Sequence, residues 1–253
     1  MHPTFVQLGP LTIATYGVLV AVGFLAGLAL AGHRARQDGI PAITVQQLGV
    51  WLIAAGILGG KLFYVVFFWR DFIAGWHDKG IGSLREGFVF FGGFLAAVLT
   101  TVVFARKNRL PLGKLADALA PGVALGHFFG RLGCFLNGCC FGAPTSVPWA
   151  VRFPAGHVSG GVPVHPTQLY EAAGNLVIAG LLLWWTPRRR FAGQVAWGYA
   201  VLYGAMRSVV EFFRGDYPRR FVLDLTLAQV IAVVLVVLGI MGHEWSRRRN
   251  QAR

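Results

Sequence analysis

Arg131 stands where an apolar run of membrane type, ALAPGVALGHFF, meets a Gly- and Cys-rich segment, GRLGCFLNGCCFG, from Gly130 to Gly142. A charge at membrane depth costs between about 3 and more than 10 kcal/mol, so it is rarely kept there without a task. A guanidinium offers a rigid fork of donors that matches a phosphate, and it stays charged when partly buried. The pattern recurs at Arg207 and Glu211, inside GYAVLYGAMRSVVEFFR. Four residues apart, they share one helix face. Two arginines and a carboxylate in apolar helices point to a site that receives an anion from the lipid. The plainer readings are an arginine snorkelling to headgroups at position 131 and a self-neutralising intrahelical pair at 207 and 211.

Other residues could join this chemistry. The segment HPTQLYEA, from His165 to Ala172, leads into another apolar helix. Thr167 is placed to cap that helix, with Glu171 just past the first turn. Capping leaves His165, Gln168 and Tyr170 unexplained, and a histidine can move protons near neutral pH. His127 is one turn before Arg131 on the same face; taken alone, it reads as a hydrogen-bonded bundle histidine. Tyr16, taken alone, reads as part of an interfacial aromatic belt. Lys61, in GGKLFYVVFF, is a further intramembrane cation. Gly92 and Gly93 let a backbone or a lipid approach closely, or serve helix packing. Arg214 reads as an interface anchor. Cys134, Cys139 and Cys140 have a C-x4-C-C spacing that matches no common zinc or iron–sulfur pattern, so they read as small residues filling a crowded turn, with no metal site expected.

The elements that must carry these residues follow from composition. The 253 residues are 55% hydrophobic and 13% charged, with 34 glycines. That places the chain among polytopic membrane proteins with close helix packing. The formal net charge of +13 would imply nucleic acid in a soluble protein. Here most basic residues flank apolar runs, where they set topology and touch anionic headgroups, and no nucleic-acid partner is expected. Three clustered cysteines make no disulfide framework. No basic region precedes the first apolar run, so no cleavable signal peptide is expected.

A span needs about 20 mostly apolar residues. On that rule seven transmembrane helices are expected, near Ile13–Ala31, Leu48–Trp69, Phe88–Phe104, Leu115–Phe129, Leu169–Trp185, Gln194–Phe213 and Leu223–Met241. The fourth is short and contains Pro121. One set of flanks carries Arg34, Arg36, Arg106, Lys107, Arg109, Lys114, Arg188 to Arg190, Arg247 to Arg249 and Arg253. The other carries fewer basic residues: Arg70, Lys79, Arg85, Arg131, Arg152, Arg214, Arg219 and Arg220. The richer set, on the shorter loops, is expected in the cytoplasm. The N-terminus is then outside and the C-terminus inside, and the Gly130–Gly142 segment faces outward. With no visible repeat or linker, residues 1–253 read as one all-α membrane domain.

Taken together, these residues resemble the prolipoprotein diacylglyceryl transferase family. GRLGCFLNGCCFG is similar to that family's signature G-R-x-G-N-F-x-N-x-E-x-x-G, through Gly130, Arg131, Gly133, Phe135, Asn137 and Gly142. HPTQLYEA resembles its HP-[ST]-QLYEA box, and YGAMRSVVEFFR its R-x-x-x-E-F-F-R box. Tyr16–Gly17 resembles the first-helix YG, and FFGGF the HGG element. Order and spacing hold from about residue 10 to 235.

The resemblance implies a seven-helix enzyme of the bacterial inner membrane, without a cofactor. It would move a diacylglyceryl group from phosphatidylglycerol to the lipobox cysteine thiol of a prolipoprotein, forming a thioether and releasing glycerol phosphate. Arg131 and Arg207 would bind the phosphate, with Glu211 beside them. Tyr16, Lys61, Gly92, Gly93, Asn137, Gly142, Gln168, Tyr170, Glu171 and Arg214 would line the substrates. Three positions depart from the pattern. The HGG histidine, a proposed base, is Phe91; the signature's first Asn is Cys134 and its Glu is Cys139. His127 is the first substitute for the base, and His165 the second. Two other classes compete: a seven-helix lipid translocator without covalent chemistry, and a membrane thiol-redox protein using Cys139 and Cys140.

Overall fold

The computed structural model describes residues 3–8, 11–154, 156–215 and 225–251. Arg219, Arg220 and Arg253, named above among the flanking charges, and Leu223, the expected start of the seventh segment, lie outside the described residues. The chain is mostly helical. Its elements are β1 (Thr4–Leu8), β2 (Leu11–Ala14), α1 (Thr15–Gln37), α2 (Ala42–Phe67), α3 (Trp69–Lys79), α4 (Phe90–Lys107), α5 (Leu112–Asn137), α6 (Thr167–Trp185), α7 (Gln194–Glu211) and α8 (Leu227–Gln251), with 3-10 turns at Gly80–Arg85 and Thr186–Arg188. Five of these helices, α1, α2, α4, α5 and α8, are long and apolar enough to cross a membrane. At 1.5 Å per residue, even the shortest of them reaches about 27 Å. The strands β1 and β2 pair antiparallel, a hairpin that hydropathy does not reveal.

The largest departures from the hydropathy bounds are helices that run on past them, while α2 and α7 end two residues short, at Phe67 and Glu211. The segment expected to stop at Phe129 continues as helix to Asn137, through Pro121 and past Arg131. Arg131 therefore sits inside a helix rather than closing one. Hydropathy reports side chains, whereas the backbone ladder continues wherever its groups stay paired. The charged ends of α1 and α8 extend for the same reason, to Gln37 and Gln251.

The chain forms two compact units, Met1–Arg34 with Ala116–Arg253, and Ala35–Leu115. In the first, Gly23 and Gly27 of α1 pack on Gly126 and Gly122 of α5. A Cβ on Gly27 would stand 2.5 Å from the Gly122 carbonyl oxygen, so only glycine permits this approach. Ala120, Ala124, Ile178, Ala179, Leu182 and Val195 form a core between α5, α6 and α7. Beside it the buried Asp117 accepts from the backbone N–H groups of Gly193 (2.8 Å), Val195 and Ala196 (2.9 Å each). A carboxylate from α5 thereby caps the first turn of α7, which has no side-chain cap of its own. On α7, Gly204 lies against the Ala232 carbonyl of α8.

In the second unit α2 packs on α4 through Gly59 against Gly92 and Gly56 against Gly93. Large apolar side chains remain outward on these helices, among them Val50, Trp51, Leu58, Leu62, Phe90 and Leu99. In water such a surface would be an aggregation liability; against acyl chains it is matched.

Candidate active site

Three helices of the first unit bring charge to one place. Arg131 comes from α5, Glu171 from α6, and Arg207 and Glu211 from α7. Arg131 Nε is ion-paired with Glu171 Oε2. Arg207 Nη1 lies 3.4 Å from Glu171 Oε1 and 2.5 Å from Glu211 Oε2. Thr226 donates its hydroxyl to Glu211 Oε1 at 2.8 Å, and Arg214 Nε is 3.9 Å from Oε2. The i, i+4 pair expected at 207 and 211 is present, within a larger cluster. Tyr203, one turn before Arg207, stacks on His127, itself one turn before Arg131. Charge and motif alone pass over Tyr203 and Thr226, although Tyr203 opens the box that contains Arg207.

Exposure in this cluster has a direction. The Glu171 and Glu211 side chains are 1% and 2% exposed, whereas those of Arg131 and Arg207 are 21% and 12% exposed. The carboxylates are the backing, and the guanidiniums are the accessible layer. Such backing holds a planar fork in one orientation while leaving donors for an incoming anion.

The segment after α5 is bound to this cluster. The carbonyl of Cys139 accepts from Gln168 Nε2 at 2.7 Å, and that of Cys140 from Thr167 Oγ1 at 2.8 Å. Thr167 is therefore not the N-cap of α6; that position is Pro166, and the Thr167 hydroxyl reaches across to the loop. The carbonyl of Gly138 is 2.7 Å from His157 Nε2. Asn137 is the last residue of α5, and Gly138 turns the chain with φ 82°. Gly142 then donates its N–H to the His165 carbonyl and Ala143 donates to that of Phe213, and a Cβ on Gly142 would stand 2.5 Å from the Phe213 carbonyl oxygen. Arg214 is buried and its backbone bridges to Gly142.

Among the imidazoles, His127 stacks on Tyr203 at 5.2 Å, and its Nδ1 is 3.2 Å from the Tyr199 hydroxyl. His165 flanks the loop: its carbonyl accepts from the Gly142 N–H at 2.9 Å. Trp149 Nε1 donates to the Tyr170 hydroxyl at 2.6 Å, and that hydroxyl is 3.1 Å from His165 Nδ1. Tyr16, at the start of α1, lies on the backbone of Gly133, where a Cβ would meet Tyr16 Cδ2 at 3.1 Å.

The three cysteines, which their spacing marks only as filling residues, converge. Their sulfurs all lie within 4.8 Å of one another, and each cysteine is partly exposed. Lys61, Gly92 and Gly93 belong to the other unit. There Lys61 Nζ donates to the carbonyls of Ser83 (3.0 Å) and Glu86 (2.7 Å) beneath the Tyr64, Phe72 and Phe88 rings. Gly92 and Gly93 make the α2–α4 contact described above.

Known proteins resemble this chain along most of its length. A family model described as prolipoprotein diacylglyceryl transferase matches residues 3–245. The chain is 33% identical over 252 residues to a phosphatidylglycerol–prolipoprotein diacylglyceryl transferase of Clostridium tetani, covering 99% of this chain and 100% of that protein. It is 36% identical over 246 residues to one of Nitratidesulfovibrio vulgaris, covering 95% of this chain and 92% of that protein. A third, from Finegoldia magna, is 32% identical over 234 residues, with 90% and 89% covered.

Proposed function

The chain belongs to the prolipoprotein diacylglyceryl transferase family, and on that premise we propose how its buried arginines perform the transfer. The enzyme moves the diacylglyceryl group of phosphatidylglycerol to a prolipoprotein, the first step of lipoprotein maturation. The acceptor is the thiol of the lipobox cysteine. Its sulfur attacks the glycerol carbon that bears the phosphate. A C–S bond forms, the C–O bond breaks, and glycerol phosphate leaves with the electron pair.

The observation that carries this reading is the layering of Arg131 and Arg207 in front of Glu171 and Glu211. The phosphodiester carries one negative charge before reaction, and the leaving monoester gains a second as the C–O bond breaks. Donors already fixed at that oxygen stabilise the developing charge without reorganisation. Glu171 and Glu211 hold the forks in place. Arg214 and Gly142 fix the loop against the cluster, and Gln168 and Glu171, one turn apart on α6, join loop and cluster. Tyr16 and Tyr170 flank the substrates. His127 holds the Tyr199–Tyr203 pair beside Arg131, and His165, beside the loop, takes the thiol proton away. Lys61, Gly92 and Gly93 are assigned to the lipid side of the second unit.

The same reading makes the chain one multi-pass domain of the bacterial inner membrane, with α6 and α7 crossing alongside the five more apolar helices. The N-terminus is outside, the C-terminus is cytoplasmic, and the loop after α5 faces the side from which prolipoproteins arrive. A lipobox peptide incubated with the purified protein and phosphatidylglycerol tests the chemistry directly, since only transfer adds a diacylglyceryl mass to its cysteine.

A further inference from the structure

The thiols of Cys134, Cys139 and Cys140 have no part in the transfer described above, yet the loop is built to hold them together. Cys134 lies on the last turn of α5, three residues after Arg131 and on the same face. Its carbonyl accepts the N–H groups of Gly138 (2.9 Å) and Cys139 (3.2 Å), so the chain folds straight back over it. Gly138 and Cys140 both take positive φ, 82° and 64°. For a cysteine this is an uncommon conformation, and it persists because Thr167 and Gln168 hold the loop carbonyls of Cys140 and Cys139. The result brings three sulfurs within 4.8 Å of one another. Sulfurs bound tetrahedrally to one Zn(II), each about 2.3 Å from the metal, lie about 3.8 Å apart.

We propose that Cys134, Cys139 and Cys140 bind one soft divalent cation, Zn(II) by ligand chemistry, and that its fourth position takes the sulfur of the substrate cysteine. Three thiolates select a soft or borderline metal over the hard cations that prefer oxygen. Three protein ligands with one open position describe a reactive zinc site, whereas a structural one is closed by four. The partial exposure of all three cysteines leaves that position accessible. Its place is also suitable. Gln168 holds the cluster and Glu171 holds Arg131, and these two residues are one turn apart on α6. A sulfur on the metal would therefore stand next to the arginines that hold the phosphate.

This proposal rests on the transferase reading and adds a means of ionising the thiol before His165 takes its proton. Both carboxylates of the site are engaged by arginines. On the metal, the substrate thiol loses its proton, which passes by His165 to solvent. The metal-bound thiolate then attacks the glycerol carbon, the C–S bond forms, and glycerol phosphate departs. The thioether, a weaker ligand, leaves the metal. No oxidant or reductant is consumed. A free thiol of pKa about 8.5 is only a few per cent ionised at pH 7, so full ionisation gives about 30-fold more thiolate, part of which is offset by its lower basicity.

The test uses the full chain, purified in detergent under reductant. Bound zinc is measured and then replaced by Co(II), whose thiolate charge-transfer and d–d absorption report ligand number. The expected result is one tetrahedral Co(II) per chain, absent from Cys139→Ser and Cys140→Ser. The d–d bands should shift with a lipobox peptide and not with its Cys→Ser version. In the unaltered protein, stripping the metal with a chelator should slow transfer about tenfold, with Zn(II) restoring it. This arm does not depend on how the serine variants fold. No Co(II) band, a mass showing a disulfide among the three cysteines, or bands indifferent to the peptide would each overturn the proposal. Transfer unaffected by stripping would overturn it while leaving the transferase reading intact. A peptide-dependent Co(II) shift without any transfer would overturn the transferase reading and leave the metal site standing.

Discussion

Arg131 on α5 and Arg207 on α7 face the two oxygens of one carboxylate: Glu171 Oε2 takes the first and Oε1 the second. A single α6 residue, 1% exposed, thus sets the relative position of both cations. Neither arginine can move without disturbing the other through this shared partner.

Replacing either arginine tests its role. Arg131→Ala and Arg207→Ala should each lower turnover by at least about 100-fold, the usual cost of losing a fixed donor at a developing charge. Arg→Lys should recover only part, because a point charge lacks the fork. Steady-state transfer to a lipobox peptide reads both effects, and near-normal turnover in either alanine variant would remove that residue from the mechanism.

Glu171→Gln should harm stability and turnover together. Removing one partner of a buried ion pair costs about 3–5 kcal/mol, and here two guanidiniums lose it. Thermal unfolding in detergent should show a larger loss than for Glu211→Gln, which leaves Arg131 paired. Equal losses would contradict the bridging role.

The helix contacts that place Arg131 are sensitive to added bulk. Gly27→Leu should lower the melting temperature and the activity, because its Cβ would meet the Gly122 carbonyl. Gly180→Ala, with open space around it, should do neither.

Asp117 acts at a distance from the chemistry. Asp117→Ala leaves three backbone N–H groups at the start of α7 without their acceptor. A lost N-cap costs about 1–2 kcal/mol. Because α7 carries Arg207, turnover should fall as well, whereas a drop in stability with normal turnover would confine Asp117 to folding.

How much of this is legible in the sequence varies by residue. Arg131, Arg207 and Glu211 stand out because charge is costly in apolar runs, and the i, i+4 spacing pairs the last two. Glu171 stands out only through its place in HPTQLYEA, and its role as the bridge is hidden, since the pairing is made across helices. Thr167 fits a local capping rule and loses to a longer-range contact with Cys140. The cysteines are illegible for another reason. Their convergence depends on the positive φ of Gly138 and Cys140, and spacing rules for metal ligands assume simpler turns. Helix ends at Gln37, Asn137 and Gln251 escape the sequence because hydropathy falls where the backbone ladder does not.

The most direct measurement is mass spectrometry of a synthetic lipobox peptide after incubation with the purified protein and phosphatidylglycerol. The account predicts a diacylglyceryl mass gain that disappears with a Cys→Ser peptide and with Arg131→Ala. No gain with a folded protein and several peptides would contradict it.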